Sequence, residues 1–171
     1  MSFPVKATCT VGPEGRSCDG SSRDTGVSGT VHFVQNSPAS CKISWNITGL
    51  TPGKHGFHVH ELADFSNGCK SAKGHYNPYG ATHGGPNDEA GKRHVGDLGN
   101  ITAGPNGVAK GSMEDHLVKL VGPTSVIGRS IMVHAGEDDL GKGGNADSLK
   151  TGNAGGRVAC GEIFLVPKPS M

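Results

Sequence analysis

Nine short runs in which apolar and polar residues alternate, each closed by Gly, Pro, Asn or Asp, constrain this chain more than any other feature. Alternation at period two lines one face of an extended strand with apolar side chains. A helix would need an apolar period of 3.6 residues, and no segment sustains that over three turns. The runs fall at 5–11 (VKATCTV), 29–35 (GTVHFVQ), 41–50 (CKISWNITGL), 55–61 (HGFHVHE) and 95–103 (VGDLGNITA), then at 107–113, 116–121, 127–135 and 157–166. Many short strands with regular turn signals predict an all-β sandwich or barrel. A chain of 171 residues can bury one substantial core, so residues 1–171 are read as a single domain.

Three segments break the pattern. Residues 62–94 and 136–156 are long, Gly-rich and polar, yet carry His, Asp, Lys and Arg, and loops of that length in a compact domain are usually functional or disordered. The piece GPEGRSCDGSSRDTGVSG, about 12–29, reads as an inserted surface loop, and 167–171 (PKPSM) as a short tail. A net charge of +1 without a long basic block argues against a nucleic-acid partner. No apolar run reaches the roughly 18 residues a membrane-spanning helix needs, so no membrane partner is expected. The start, MSFPVKATCT, has neither a basic n-region nor an apolar h-region. This sets the expectation of a cytoplasmic protein, a secreted form requiring a leader ahead of these residues. Five cysteines allow at most two bridges and one free thiol.

The histidines are not scattered. Three of the nine fall within six residues of GKHGFHVHE, where His58 and His60 stand two apart and so share a strand face, while His55 points the other way. The long loop adds His75, His83 and His94, with Asp97 close behind, and His134 ends the run IMVHAGEDD. One histidine alone is most often an ordinary hydrogen-bonded side chain. Six of them and an aspartate on one loop and the strand ends around it point to metal. Imidazoles suit zinc, copper, iron or nickel, and imidazole with carboxylate in a closed set suits zinc. The candidates divide into His58, His60 and His134 from strands, and His83, His94 and Asp97 on or just after the loop. Each group lacks a fourth ligand without His75, whose two ring nitrogens could serve both.

At this point the sequence resembles the copper/zinc superoxide dismutase family, through GFHVHE, GHYNP, HGGP, RHVGDLGN, VHAGEDDLGKGGN and GNAGGRVACG over roughly residues 3–166. The resemblance implies an eight-stranded Greek-key β-sandwich, immunoglobulin-like in architecture, with two long functional loops. It implies one copper per subunit on His58, His60, His75 and His134, and one zinc on His75, His83, His94 and Asp97. Asp138 matches a carboxylate linking a copper histidine to a zinc histidine, and His55 a non-ligand bonded to backbone. His32 and His116 match no metal position and are expected at the surface. The implied activity is dismutation of superoxide to O2 and H2O2, in antioxidant defence, with His75 and Arg157 catalytic.

Arg157 matches the family's guanidinium beside copper, and Lys150 and Thr151 match the rim of the same entrance, so these three are expected to guide the anion. One departure stands out: the family usually has two adjacent acids after the Asn of GGNADSLKTG. Here Ala146 replaces the first and Asp147 keeps the second. Cys69 and Cys160 match the family's disulfide, a bridge closing a loop of about 90 residues and worth up to roughly 4–5 kcal/mol in the chain-entropy picture. Cys9 reads as a buried thiol; Cys18 lies in the inserted loop and could pair with Cys41 or Cys9.

The family's homodimer patch matches Leu62, Ile127, Gly128 and Leu165, and a copper chaperone is the implied partner for metal loading. Asn46 and Asn100 each head an Asn-Ile-Thr triplet, a formal glycosylation signal that carries little weight here. The alternative functions are a copper-chaperone-like domain or a metal-storing sandwich without efficient catalysis. Chaperone domains tend to lack part of the copper set and carry a separate metal-bearing module. This chain has all four copper-position histidines and no CxxC.

Overall fold

The structure is a computed structural model and describes residues 2–12 and 25–170. In β1 (Val5–Val11) the alternation is realised directly: Val5, Ala7, Cys9 and Val11 are buried, while Lys6 and Thr10 are exposed. The chain continues through β2 (Ser28–Gln35), β3 (Cys41–Thr48), β4 (Gly53–His60), β5 (Ser66–Cys69), β6 (Asp97–Ala103), β7 (Ala109–Asp115), β8 (Ser130–His134), β9 (Arg157–Glu162) and β10 (Phe164–Val166). One antiparallel sheet has the order β10-β1-β2-β3-β7, the other β6-β4-β8-β9. Strands β3 and β7 are neighbours although β4 and β6, which intervene in sequence, belong to the opposite sheet. This is a Greek-key connection.

The two inner faces supply one core. Val31, Phe33, Ile43 and Ile47 come from the first sheet, and Phe57, Val59, Ile101, Ile131 and Val133 from the second. Trp45 meets Phe57 edge-to-face at 5.4 Å, closing one side of it. Gly161 lets the sheets approach each other, since a Cβ there would collide with the Thr10 carbonyl.

Two expected strands come out differently. The run at 157–166 is broken at Ile163, whose N–H donates to Arg129 O while its own carbonyl accepts from Gly128 N, each at 2.9 Å. β9 therefore pairs with β8 and β10 with β1, so a single run serves both sheets. Counted as one, they complete the expected eight strands among the described residues, since β5 joins neither sheet. The run at 116–121 forms no strand; its one ladder-like contact is an isolated bridge, Lys119 to Ser125. Its amides are satisfied by side chains instead. Asp115 Oδ1 accepts from Leu117 and Val118 N–H at 2.9 and 2.8 Å, and Gln35 Oε1 from Leu120 N–H at 2.7 Å. Val118 and Leu120 stay in the core, so the apolar pattern was real and the extended geometry was not.

The long connections are pinned to this scaffold. The buried guanidinium of Arg93 donates to Asp115 at 2.8 Å and to the carbonyls of Pro86, His94 and Val95, which ties the first loop to the end of β7. A buried charge is tolerable only when paired and hydrogen-bonded in this way. A disulfide joins Cys69 to Cys160, 91 residues apart, holding the same loop to β9. The second loop contains a single helical turn, α1 (Ser148–Thr151).

Cys9 and Cys41 are buried free thiols, whereas Cys18 and most of the expected 12–29 loop lie outside the described residues. Burial pushes both thiols up to about 12, with Glu162 adding to the effect at Cys9 and Asp115 and Glu114 at Cys41. The reactive thiolate is therefore scarce and shielded. Peptide mapping after iodoacetamide treatment at pH 8 should find Cys9 and Cys41 unmodified in native protein and alkylated after denaturation. Rapid native alkylation of either would contradict the packing described.

Candidate metal centre

The centre forms where strand ends of the second sheet meet the two loops. β4 carries His58 and His60, β8 ends in His134, and Asp97 opens β6. The first loop lays His75, His83 and His94 over them. His75 sits in the middle: its ring is stacked on His58 at 3.9 Å between centroids and lies 5.0 Å from both His60 and His83, and 5.2 Å from His94. His55 stays out of the cluster and bonds backbone on both sides, Nδ1 to His134 O at 2.8 Å and Nε2 to Thr51 O at 2.7 Å. His32 and His116 are exposed.

The hydrogen bonds fix which nitrogen of each ring is free. His58 Nε2 donates to Asp138 Oδ2 at 2.6 Å, His60 Nδ1 to Lys73 O at 2.8 Å and His134 Nδ1 to Gly155 O at 3.0 Å. Their other nitrogens, His58 Nδ1, His60 Nε2 and His134 Nε2, are buried and, among the described residues, without a hydrogen-bond partner. Buried polar atoms are normally paired. Three bare lone pairs among ligand-type groups within 4.8 Å of one another, His75 included, are what a metal-binding set requires.

The second set converges on Asp97. Its Oδ1 lies 2.9 Å from His75 Nδ1, 2.9 Å from His83 Nδ1 and 3.2 Å from His94 Nδ1, with His75 Nδ1 and His94 Nδ1 3.2 Å apart. Ligands held at about 2.0 Å around a tetrahedral ion would be ~3.3 Å apart, so the spacing suits zinc. Although His83 Nδ1 is close to Asp97, it makes no properly directed hydrogen bond there, as befits an atom facing a common centre. Asp97 Oδ2 is held by the N–H groups of Gly84 and His94 at 3.0 and 2.8 Å. His58 also lies within reach of this second set. Its Nε2 is committed to Asp138, however, so His75 is the ring with a nitrogen to offer each side.

Electrostatics follows the same division. Burial, reinforced by neighbouring imidazoles, holds His58 and His60 well below the ordinary histidine value, and burial takes His134 down to about 4. These rings are neutral and can offer lone pairs. Burial also acts downward on His83, but the hydrogen bond to Asp138 and the nearby carboxylate of Asp97 outweigh it and hold the ring at about 9. Asp97 is opposed by burial too, yet its imidazole hydrogen bonds keep it well below the carboxylate range.

Asp138 links the two sets. Its Oδ2 binds His58 and its Oδ1 accepts from His83 Nε2 at 2.7 Å. Sequence reasoning missed what holds it. Asn100 Oδ1 accepts from the Asp138 N–H at 2.7 Å and Asn100 Nδ2 donates to the Asp138 carbonyl at 2.9 Å, yet Asn100 stood out only as the head of a triplet. Gly152, at φ +71°, was also missed; a Cβ there would strike the Asp138 carboxylate and crowd His83 Nε2.

A cavity of about 370 Å³ opens onto His60, His75 and His134 and is rimmed by Asp147, Lys150, Thr151 and Arg157. The Arg157 guanidinium is held from behind by the carbonyls of Cys69 at 2.8 Å and Lys73 at 2.6 Å. The disulfide thus anchors the loop that aims the guanidinium. Ala146 and Asp147 are exposed on the same loop as Lys150.

Against known proteins, residues 27–163 match the family described as copper/zinc superoxide dismutase (SODC). A superoxide dismutase [Cu-Zn] of Saccharomyces cerevisiae is 57% identical over 144 residues, covering 83% of this chain and 92% of that protein. An extracellular superoxide dismutase [Cu-Zn] of Onchocerca volvulus is 59% identical over 146 residues, covering 83% and 72%. A superoxide dismutase [Cu-Zn] of Cordyceps militaris is 58% identical over 142 residues, covering 82% and 91%.

Proposed function

Because this chain belongs to the copper/zinc superoxide dismutase family, we propose that the centre described above converts two superoxide anions and two protons into O2 and H2O2. Residues 1–171 act as one catalytic domain with one copper and one zinc. The observation that carries the reading is the set of bare buried nitrogens on His58, His60 and His134, the last two rings lining a cavity that also holds Lys150 and Arg157. His58, His60, His75 and His134 hold copper, and His75, His83, His94 and Asp97 hold zinc. Copper supplies one-electron redox chemistry, while zinc is redox-silent and supplies fixed charge and structure.

The remaining work belongs to the protein. Arg157 and Lys150 attract the anion, and Arg157, fixed by loop carbonyls, orients it at the cavity floor. Thr151 narrows the rim. His75 is anchored at Nδ1 by the Asp97 cluster, so its Nε2 can take up a proton and release it to the departing peroxide. Asp138 keeps His58 and His83 in the tautomers that face inward.

Two subunits pair through a patch that includes Leu62, Ile127, Gly128 and Leu165, and a copper chaperone loads the copper. Among the described residues no helix is long and apolar enough to cross a membrane. The similar proteins that are named extracellular support a secreted setting for this chain.

Metal analysis combined with a superoxide-decay assay tests the function. The protein should carry one copper and one zinc per chain, lose activity on chelation and regain it with copper plus zinc but not with zinc alone. Protein with both ions that leaves superoxide decay at the spontaneous rate would instead support metal storage.

A further inference from the structure

Two identical triplets, Asn-Ile-Thr, occur at 46–48 and 100–102, and the fold treats them in opposite ways. Both lie on strands, where Asn and the Thr two residues later share a face. In β3, Asn46 and Thr48 are both exposed, while Ile47 between them is buried in the core. The cross-strand neighbours of Asn46, Thr30 on β2 and Lys110 on β7, are exposed as well. Among the described residues the Asn46 side chain has no hydrogen-bond partner, so its amide is free on an open polar stripe. In β6, Thr102 is exposed but Asn100 is half-buried, and both ends of its amide are used on the Asp138 backbone.

We propose that Asn46 is an N-glycan acceptor in a secreted form of this chain, and that Asn100, in the same triplet, carries no glycan in the folded enzyme. The donor class is an oligosaccharide linked to a lipid diphosphate. A bond forms between Asn46 Nδ2 and the sugar's C1, the C1–O bond to the diphosphate breaks, the lipid diphosphate departs with that electron pair, and Nδ2 gives up one proton. On Asn46 the product projects into solvent from the outer face of the first sheet and leaves the metal centre untouched. On Asn100 the same product would take the amide away from Asp138, the carboxylate that orders His58 and His83.

The test places the chain behind a cleavable signal sequence in a eukaryotic secretory host. The natively purified, active fraction is then treated with peptide:N-glycosidase F and mapped by mass spectrometry. One glycan is expected, on Asn46. It should be lost in Asn46→Gln and retained in Thr102→Ala, which removes the second triplet without touching the Asn100 amide. Specific activity should agree within about twofold before and after glycan removal. Active secreted protein with Asn46 unmodified would overturn the proposal, as would a glycan found on Asn100 in the active fraction.

Discussion

His75→Ala should reduce superoxide turnover to near the spontaneous rate while leaving the β-sandwich folded. Loss of a partner that merely orients a metal ligand typically costs roughly 10–100-fold in metal affinity or activity. His75 should exceed that, because it stands 2.9 Å from Asp97 at Nδ1 and is the ring able to serve both ligand sets. Its removal would also delete the proton carrier proposed at Nε2. The core strands do not depend on it, since the apolar cluster between the sheets is built from other side chains. Superoxide decay followed by pulse radiolysis, with metal content by elemental analysis and far-UV circular dichroism, separates these effects. Wild-type activity with one copper and one zinc retained would contradict the shared-ring reading.

Arg157→Glu should lower kcat/KM on the order of 10²-fold, within the roughly 10–10³ by which charged clefts raise association rates, a range for which this enzyme family is itself a reference case. Net charge is only +1, so attraction of the anion rests on the local placement of Arg157 and Lys150 around the cavity. Screening makes such attraction fall as salt rises, the Debye length being about 10 Å at 0.1 M. The wild-type rate should therefore decline with ionic strength, and the Arg157→Glu profile should flatten or reverse. Arg157→Lys should keep part of the rate and the sign of the salt slope. It loses the planar fork that reaches the Cys69 and Lys73 carbonyls together. A salt profile of Arg157→Glu identical to wild type would remove steering from the account.

Strands were legible where one face met the core and the other met water. β1 shows this best, with its buried Val5, Ala7, Cys9 and Val11. β4 was legible for a different reason. Its last six residues are all buried because loops cover the outer face, so periodicity alone would not have separated it from a core helix. The spacing of His58 and His60, and the motifs around them, marked it instead. The run at 116–121 misled because burial of Val118 and Leu120 looks the same in a strand and in a segment whose amides are capped by Asp115 and Gln35.

In the site, the histidines and Asp97 could be found because metal chemistry restricts residue type. Their holders were harder to see. The carbonyls of Lys73, Gly155 and Cys69 that orient His60, His134 and Arg157 belong to backbone, which any residue could supply. Asn100 and Gly152 act through Asp138, a relation between positions 38 and 14 residues apart that local sequence does not display.

The most direct test is diffraction from protein loaded with one copper and one zinc, with anomalous data collected at both absorption edges. The His75 ring should lie between the two ions, with zinc on Nδ1 beside Asp97 and copper on Nε2 beside His58, His60 and His134. Two ions with no ring in common, or a His75 bound to only one of them, would contradict the account at its centre.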